Sequence, residues 1–234
     1  MIPISDDNPT RRPALVSWLI LGSCVVVFFW QLSLSERALH VVVHALGLIP
    51  AVLFGHAELP PEARIVPAWV TVFTSMFLHG GWLHLISNML YLWVFANNVE
   101  DAMGHLRFVV FYLLCGVIAA FTHALPMPFS DVPMIGASGA VSGVLGAYLL
   151  LHPWAQVTVI IPIGIILYPV RLPAAVILLS WFGLQLLYAR LSDPGEAGVA
   201  FLAHVGGFVA GMLLLFLFKR RGVRLFRGRN PARR

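Results

Sequence analysis

Six apolar stretches, at about 14–34, 82–99, 107–125, 138–152, 172–188 and 199–218, set the terms on which this chain can fold. Most approach the roughly 20 residues that a helix needs to cross a bilayer. Apolar residues make up 59% of the 234 and charged ones only 11%, which takes the chain out of the range of a soluble domain. In hydrocarbon every backbone N–H and C=O must be paired, so only helices and closed barrels span it. The runs here are too continuous for alternating barrel strands, and the expectation is an all-α membrane protein, a bundle of six transmembrane helices with a long, structured first loop outside the membrane. Residues 1–234 then form a single membrane domain, with a short cytoplasmic segment at 1–13 and a basic cytoplasmic tail at 219–234.

The first run follows Arg11 and Arg12 and has no small-residue cleavage site, so it reads as an anchor and not as a removed signal. Residues 35–81 are rich in Pro, Gly and His, and a connection of that length usually has structure of its own. Residues 156–170 are also apolar, but Pro162, Gly164 and Pro169 interrupt them. They are expected at the membrane interface, a seventh span being the rival. Cys24 and Cys115 fall inside apolar runs, where a thiol behaves as a small hydrophobe.

Charge decides between six spans and seven. With six, one side collects Arg11, Arg12, Arg107, Arg171 and the tail from Lys219 onward, twelve of the 15 basic residues, and leaves Arg37, Arg64 and Arg190 opposite. The positive-inside rule then puts both termini in the cytoplasm and the long first loop outside. The formal charge of +5 reflects this topology, and nucleic acid is not expected as a partner. The run at 138–152 gives only about 22 Å of helix against a core of about 30 Å. Ser138 therefore starts below the outer surface, where irregular backbone survives only when buried or facing a hydrated cavity.

Three polar clusters interrupt this background. Gly136-Ala137-Ser138-Gly139 opens the short run. Small residues in membrane helices commonly mark close packing, and Gly139 with Gly143 fits that spacing. The chemical reading is a nucleophile at a helix N-terminus whose free N–H groups face a developing oxyanion. His204 lies beside Gly206, Gly207 and Gly211 in the last run, and an intramembrane ionisable residue is either a functional group or part of a structural hydrogen bond. His79, His84 and Asn88 form the third cluster; His84 and Asn88 are four apart and project from one helix face. A metal site at His79 and His84 lacks thiolate or carboxylate partners nearby, so neither metal nor organic cofactor is expected.

In order and spacing, His79-x4-His84-x3-Asn88, Gly136-x-Ser138-Gly139 and His204 among glycines resemble the rhomboid family of intramembrane serine proteases. The resemblance implies a dyad with Ser138 as nucleophile and His204 as base, and an oxyanion hole from His84, Asn88 and the backbone N–H of Ser138. It implies a supporting role near the site for His79, Gly136, Gly139, Gly207 and Gly211, and a structural carboxylate at Glu100 with Gly104 and Arg107 completing its turn. The implied partners are the lipid bilayer and single-span membrane protein substrates. A catalytically silent, client-binding relative is the alternative; a small transporter, which would more often show an internal repeat, ranks below it. Two positions depart from the family pattern: Trp69-Val70-Thr71 stands where some members carry Trp-Arg, and Ser142 where some carry a Tyr that stacks on the histidine. Trp181 and Phe182 read as packing or lipid contacts, with a lateral gate as the other reading.

Overall fold

The computed structural model describes residues 2–191 and 199–226. The apolar runs become helices: α1 (Leu15–Leu32), α5 (Trp82–Met103), α6 (His105–Ala124), α7 (Ser138–Leu151), α8 (Ala174–Leu191) and α9 (Phe201–Phe218). Of these, α1, α6, α8 and α9 are long and apolar enough to cross a membrane; α5 is long but more polar, and α7 has only 14 residues. Between α1 and α5 lie the amphipathic α2 (Glu36–Leu46), the short α3 (Pro50–Leu53) and α4 (Thr71–Thr74), and three single 3-10 turns. Ser35 opens α2 as its cap, its hydroxyl accepting from the Ala38 N–H.

Helix α7 runs through the middle, with 12 of its 14 residues buried. Its glycines let α9 lie directly on its backbone. A Cβ added to Gly207 would stand 2.0 Å from the Gly139 carbonyl oxygen, one on Gly211 1.8 Å from that of Gly143, and one on Gly146 2.1 Å from that of Phe208. Backbone at that separation leaves no room for any side chain, the close-approach packing that small residues permit in membranes. The outer faces are apolar instead: Leu19, Val26, Leu83, Leu106, Leu213 and Leu217 are all exposed. In water such a surface would aggregate; in lipid it is the solvated face.

The all-α expectation fails at three places. Ile2–Asp6 (β1), Gln156–Ile163 (β2) and Ile166–Pro173 (β3) form an antiparallel sheet in the order β1-β2-β3. Residues 156–170 are thus not a seventh helical span but an antiparallel hairpin of β2 and β3. Pro162 and Pro169 cannot continue a helix, while Val157, Thr158, Val159, Ile160 and Ile161 are β-branched and suit an extended chain. Val157 and Val159 are fully buried and pack into the main core.

The sheet, the N-terminal segment and the residues after α9 meet at one end of the bundle. The Arg11 N–H donates to Asp101 Oδ2 at 3.0 Å, Arg220 pairs with Asp101 at 3.5 Å, and the Phe226 N–H donates to the Leu150 carbonyl at 2.7 Å. Residues 227–234, the last part of the expected tail, lie outside the described residues. Glu100 caps α1 from another helix, since α1 has no side-chain cap of its own. Its carboxylate accepts from the Val16 and Ser17 N–H groups at 2.9 and 2.8 Å and from the Ser17 hydroxyl at 2.6 Å. His105, one residue past Gly104 (φ +85°), provides its other contact at 2.6 Å, while Arg107 is exposed. Glu100→Ala strands two N–H groups at that helix start and should cost about 1–3 kcal/mol, read as a lower melting temperature in detergent.

Asp6 ties β1 to the helices. Its Oδ2 accepts from the Tyr148 hydroxyl at 2.5 Å and from Asn98 Nδ2 at 3.0 Å. Burial, helped by neighbouring Asp7 and opposed by the Tyr148 bond, pushes its carboxyl up from 3.8 to about 6. Between those values the folded protein holds the proton and the unfolded chain does not, so stability falls as pH rises through this window and is level above it. Melting curves from pH 4 to 7 should show that slope, and Asp6→Asn should remove it.

Candidate active site

Ser138 is the first residue of α7 and is delivered by a loop that two other segments hold in place. Leu48 and Met134 exchange backbone hydrogen bonds at 3.0 and 2.7 Å, and the Ala51 N–H donates to the Ser130 carbonyl at 2.9 Å. The Gly136 N–H donates to the Ser75 carbonyl at 2.8 Å. Gly136 itself has φ +122°, and a Cβ there would meet His84 Nε2 at 2.5 Å, so conformation and space both require glycine. The first i→i−4 bond of α7 runs from the Val141 N–H to the Ala137 carbonyl. The N–H groups of Ser138, Gly139 and Ala140 thus precede the ladder, at a helix start without a side-chain cap.

The same glycine register that joins α7 to α9 brings His204 level with Ser138. Gly139 and Ala203, their chain neighbours, lie close: a Cβ added to Gly139 would stand 3.9 Å from the Ala203 Cβ and carbonyl oxygen. Ser138, His204, His84 and Asn88 all line one cavity of about 820 Å³, together with Gly136 and Trp181. It lies near the N-terminal ends of α5, α7 and α9, away from the sheet and the basic tail. Helix α7 is eight residues shorter than α5, about 12 Å at 1.5 Å per residue. Ser138 opens α7 at the cavity, and His84 and Asn88 line the same cavity from the first two turns of α5.

Hydrogen-bond partners assign the ring protons of the two neutral histidines. The Gly80 N–H donates to His84 Nδ1 at 3.3 Å, so in the neutral ring Nδ1 is the acceptor and Nε2, beside Gly136, carries the proton. Asn88 is buried and spends one amide proton on the His84 carbonyl at 2.9 Å, leaving a second donor. His204, also buried, contacts Gln185 Oε1 through Nδ1 at 2.7 Å, which makes Nδ1 the protonated nitrogen and leaves Nε2 as an acceptor.

His79 stands behind this group. Its peptide is held on both sides by Gln31 of α1, at 3.0 Å through N–H and 3.2 Å through C=O, and its ring meets that of His84 edge-on at 5.1 Å. Among the described residues no three His, Cys, Asp or Glu side chains converge as a metal site would require.

Sequence reasoning missed Gln31 and Gln185. Each is a polar side chain inside an apolar run, the same signal that singled out His204. It also left open what holds the His204 ring. Ser142 does not: its hydroxyl bonds back to the Ser138 carbonyl at 2.6 Å. Trp181 reaches across from α8 instead, its ring centre 5.8 Å from the imidazole, and Phe182 stacks on Phe208 at 4.4 Å.

Comparison with known proteins identifies the family. The Rhomboid domain family model matches residues 67–221. Rhomboid-like protein 11, chloroplastic, of Arabidopsis thaliana is 29% identical over 157 residues, 66% of this chain and 54% of that protein. Rhomboid protease GluP of Bacillus subtilis (strain 168) is 40% identical over 81 residues, 35% of this chain and 15% of that protein. Inactive rhomboid protein 1 of Danio rerio is 23% identical over 236 residues, 93% of this chain and 23% of that protein. The chain thus spans about half or less of the length of these relatives. The family match covers well over half of the chain, and with its apolar helices it leads to one conclusion: the chain belongs to the rhomboid family and is an integral membrane protein.

Proposed function

We propose that this protein is an intramembrane serine endopeptidase that cuts single-span membrane proteins with a Ser138–His204 dyad. The observation that carries the reading is the convergence of Ser138, His204, His84 and Asn88 on one cavity of an apolar bundle. In this reading six helices span the bilayer, α5 and α7 completing the set begun by the four long apolar ones. The residues between α1 and α5 form the outer loop, and both termini are cytoplasmic, as the clustering of Arg and Lys at one end supports. The membrane is an inner, plasma-type membrane, and residues 1–234 act as one domain.

The chemistry follows from the proton positions. His204 Nε2 takes the Ser138 Oγ proton as Oγ attacks the carbonyl carbon of the scissile peptide bond. The carbonyl oxygen becomes an oxyanion, which the Ser138 N–H, His84 Nε2–H and the free Asn88 amide proton stabilise. His204 then returns the proton to the departing amine nitrogen, and a water molecule, deprotonated by the same imidazole, releases the acyl group from Ser138. A peptide bond in a helix is shielded by its own hydrogen bonding, so the substrate segment must unwind to reach Ser138, and helix-breaking residues near its outer end favour cleavage.

A second reading has an observation behind it: a relative whose name marks it as inactive aligns over 93% of the chain. Such a protein would bind membrane clients without cutting them. Incubating the purified protein in liposomes with a single-span substrate carrying a helix-breaking segment near its outer end separates the two. One cut within or beside the membrane segment, mapped by mass spectrometry, supports the protease; retained binding with intact substrate supports the client-binding reading.

A further inference from the structure

We propose that Gln185 is a positioning residue for His204, an uncharged third member of the constellation that fixes the imidazole for proton transfer. The inference rests on the reading of Ser138 and His204 as the dyad and assigns what that reading leaves open, namely what orients the base.

The contact is short and enclosed. Gln185 Oε1 lies 2.7 Å from His204 Nδ1, and each residue is only 8% exposed. An oxygen there accepts, so Nδ1 holds the ring proton, and Nε2 keeps a lone pair for Ser138. The opposite tautomer would turn an N–H toward the serine, and a base with its proton on the wrong nitrogen cannot accept another. Trp181 lies one helical turn before Gln185 on the same face of α8, and its ring approaches the imidazole at 5.8 Å and 35°. Phe201, one turn before His204 on α9, closes another side edge-on at 6.4 Å and 89°. Two aromatic rings thus limit the tilt of the imidazole and one amide sets its rotation.

An amide in this position has a physical reason. Soluble serine proteases use a carboxylate to hold the histidine and stabilise the imidazolium. Here α7, α8 and α9 contain no Asp or Glu, and a carboxylate buried among lipid-facing helices would carry a heavy desolvation cost. Glutamine provides the acceptor without the charge. It gives orientation and tautomer selection, with less stabilisation of the charged ring than a carboxylate gives.

The test is steady-state cleavage of a single-span substrate in liposomes by wild type, Ser138→Ala, Gln185→Met and Gln185→Asn, with melting temperatures of all four. Methionine keeps the side chain's length and removes the amide acceptor; asparagine keeps the amide and withdraws it by one methylene. Each should lower kcat about 10–100-fold with KM within about twofold of wild type, the loss typical of a group that orients another. If Gln185→Met does not fold, Gln185→Asn carries the same expectation. Wild-type kcat in either folded variant, or a loss confined to KM or to melting temperature, overturns the proposal while the dyad stands, provided that Ser138→Ala is inactive. Equal cleavage by wild type and Ser138→Ala would remove the dyad and this inference with it.

Discussion

Ser138→Ala should abolish cleavage, lowering kcat by at least about a thousandfold while leaving the melting temperature within a few degrees of wild type. The serine hydroxyl holds no packing position that alanine cannot fill, since Ser138 lines the cavity and the helix it opens is fixed by glycine contacts further along. His204→Ala should be as severe, because Oγ without a base is a weak nucleophile. The double variant should be no worse than either single one, the signature of groups that act as a unit. Asn88→Ala should fall between these and wild type, at roughly 10²–10³ in kcat for one lost oxyanion donor, with the fold retained. That graded series separates chemistry from packing, since equal losses in all of these variants with lowered melting temperatures would point to a structural cause.

The second large effect is on the fold. Gly211→Val should disrupt the α7–α9 pair, since even a Cβ at that position would lie 1.8 Å from a backbone carbonyl oxygen that has no rotamer to change. The helices must part by more than an ångström along the seam that sets Ser138 against His204. Ordinary overpacking costs about 1–3 kcal/mol, and a clash with backbone on a central helix should exceed that range. Gly207→Val, at 2.0 Å from the Gly139 carbonyl, should behave alike. Gly183→Ala and Gly22→Ala are the matched controls: nothing lies within 4 Å of either position, and in a helix alanine is favoured over glycine. Thermal melts in detergent read all four.

The helices were legible because lipid imposes a simple code. All six apolar runs read as spans became helices within a few residues of the expected ends. Helix α5 runs on to Met103, past the expected 99, because its polar end from Asn97 to Asp101 finds partners in other segments: Asn98 with Asp6, Glu100 with α1, Asp101 with Arg11 and Arg220. Those partners are 80 or more residues away, and no local pattern announces them. The sheet was illegible for the same reason. Prolines argued correctly against a helix at 156–170, yet nothing near them indicates that residues 2–6, about 150 positions earlier, supply the third strand.

The site divides in the same way. Ser138, His204, His84 and Asn88 stood out because polar groups are costly in an apolar chain, and all four line one cavity. Their supports did not stand out. Gln31 clasps His79, Ser75 holds the loop at Gly136, and Gln185 with Trp181 holds His204, each from a segment remote in sequence.

The most direct measurement is labelling of the purified protein in liposomes with a fluorophosphonate, which reacts only with an activated serine, followed by peptide mapping. One equivalent of label on Ser138 in the wild type, lost in His204→Ala, is the result this account predicts. Label on another serine, or equal labelling of Ser138 with and without His204, would contradict it.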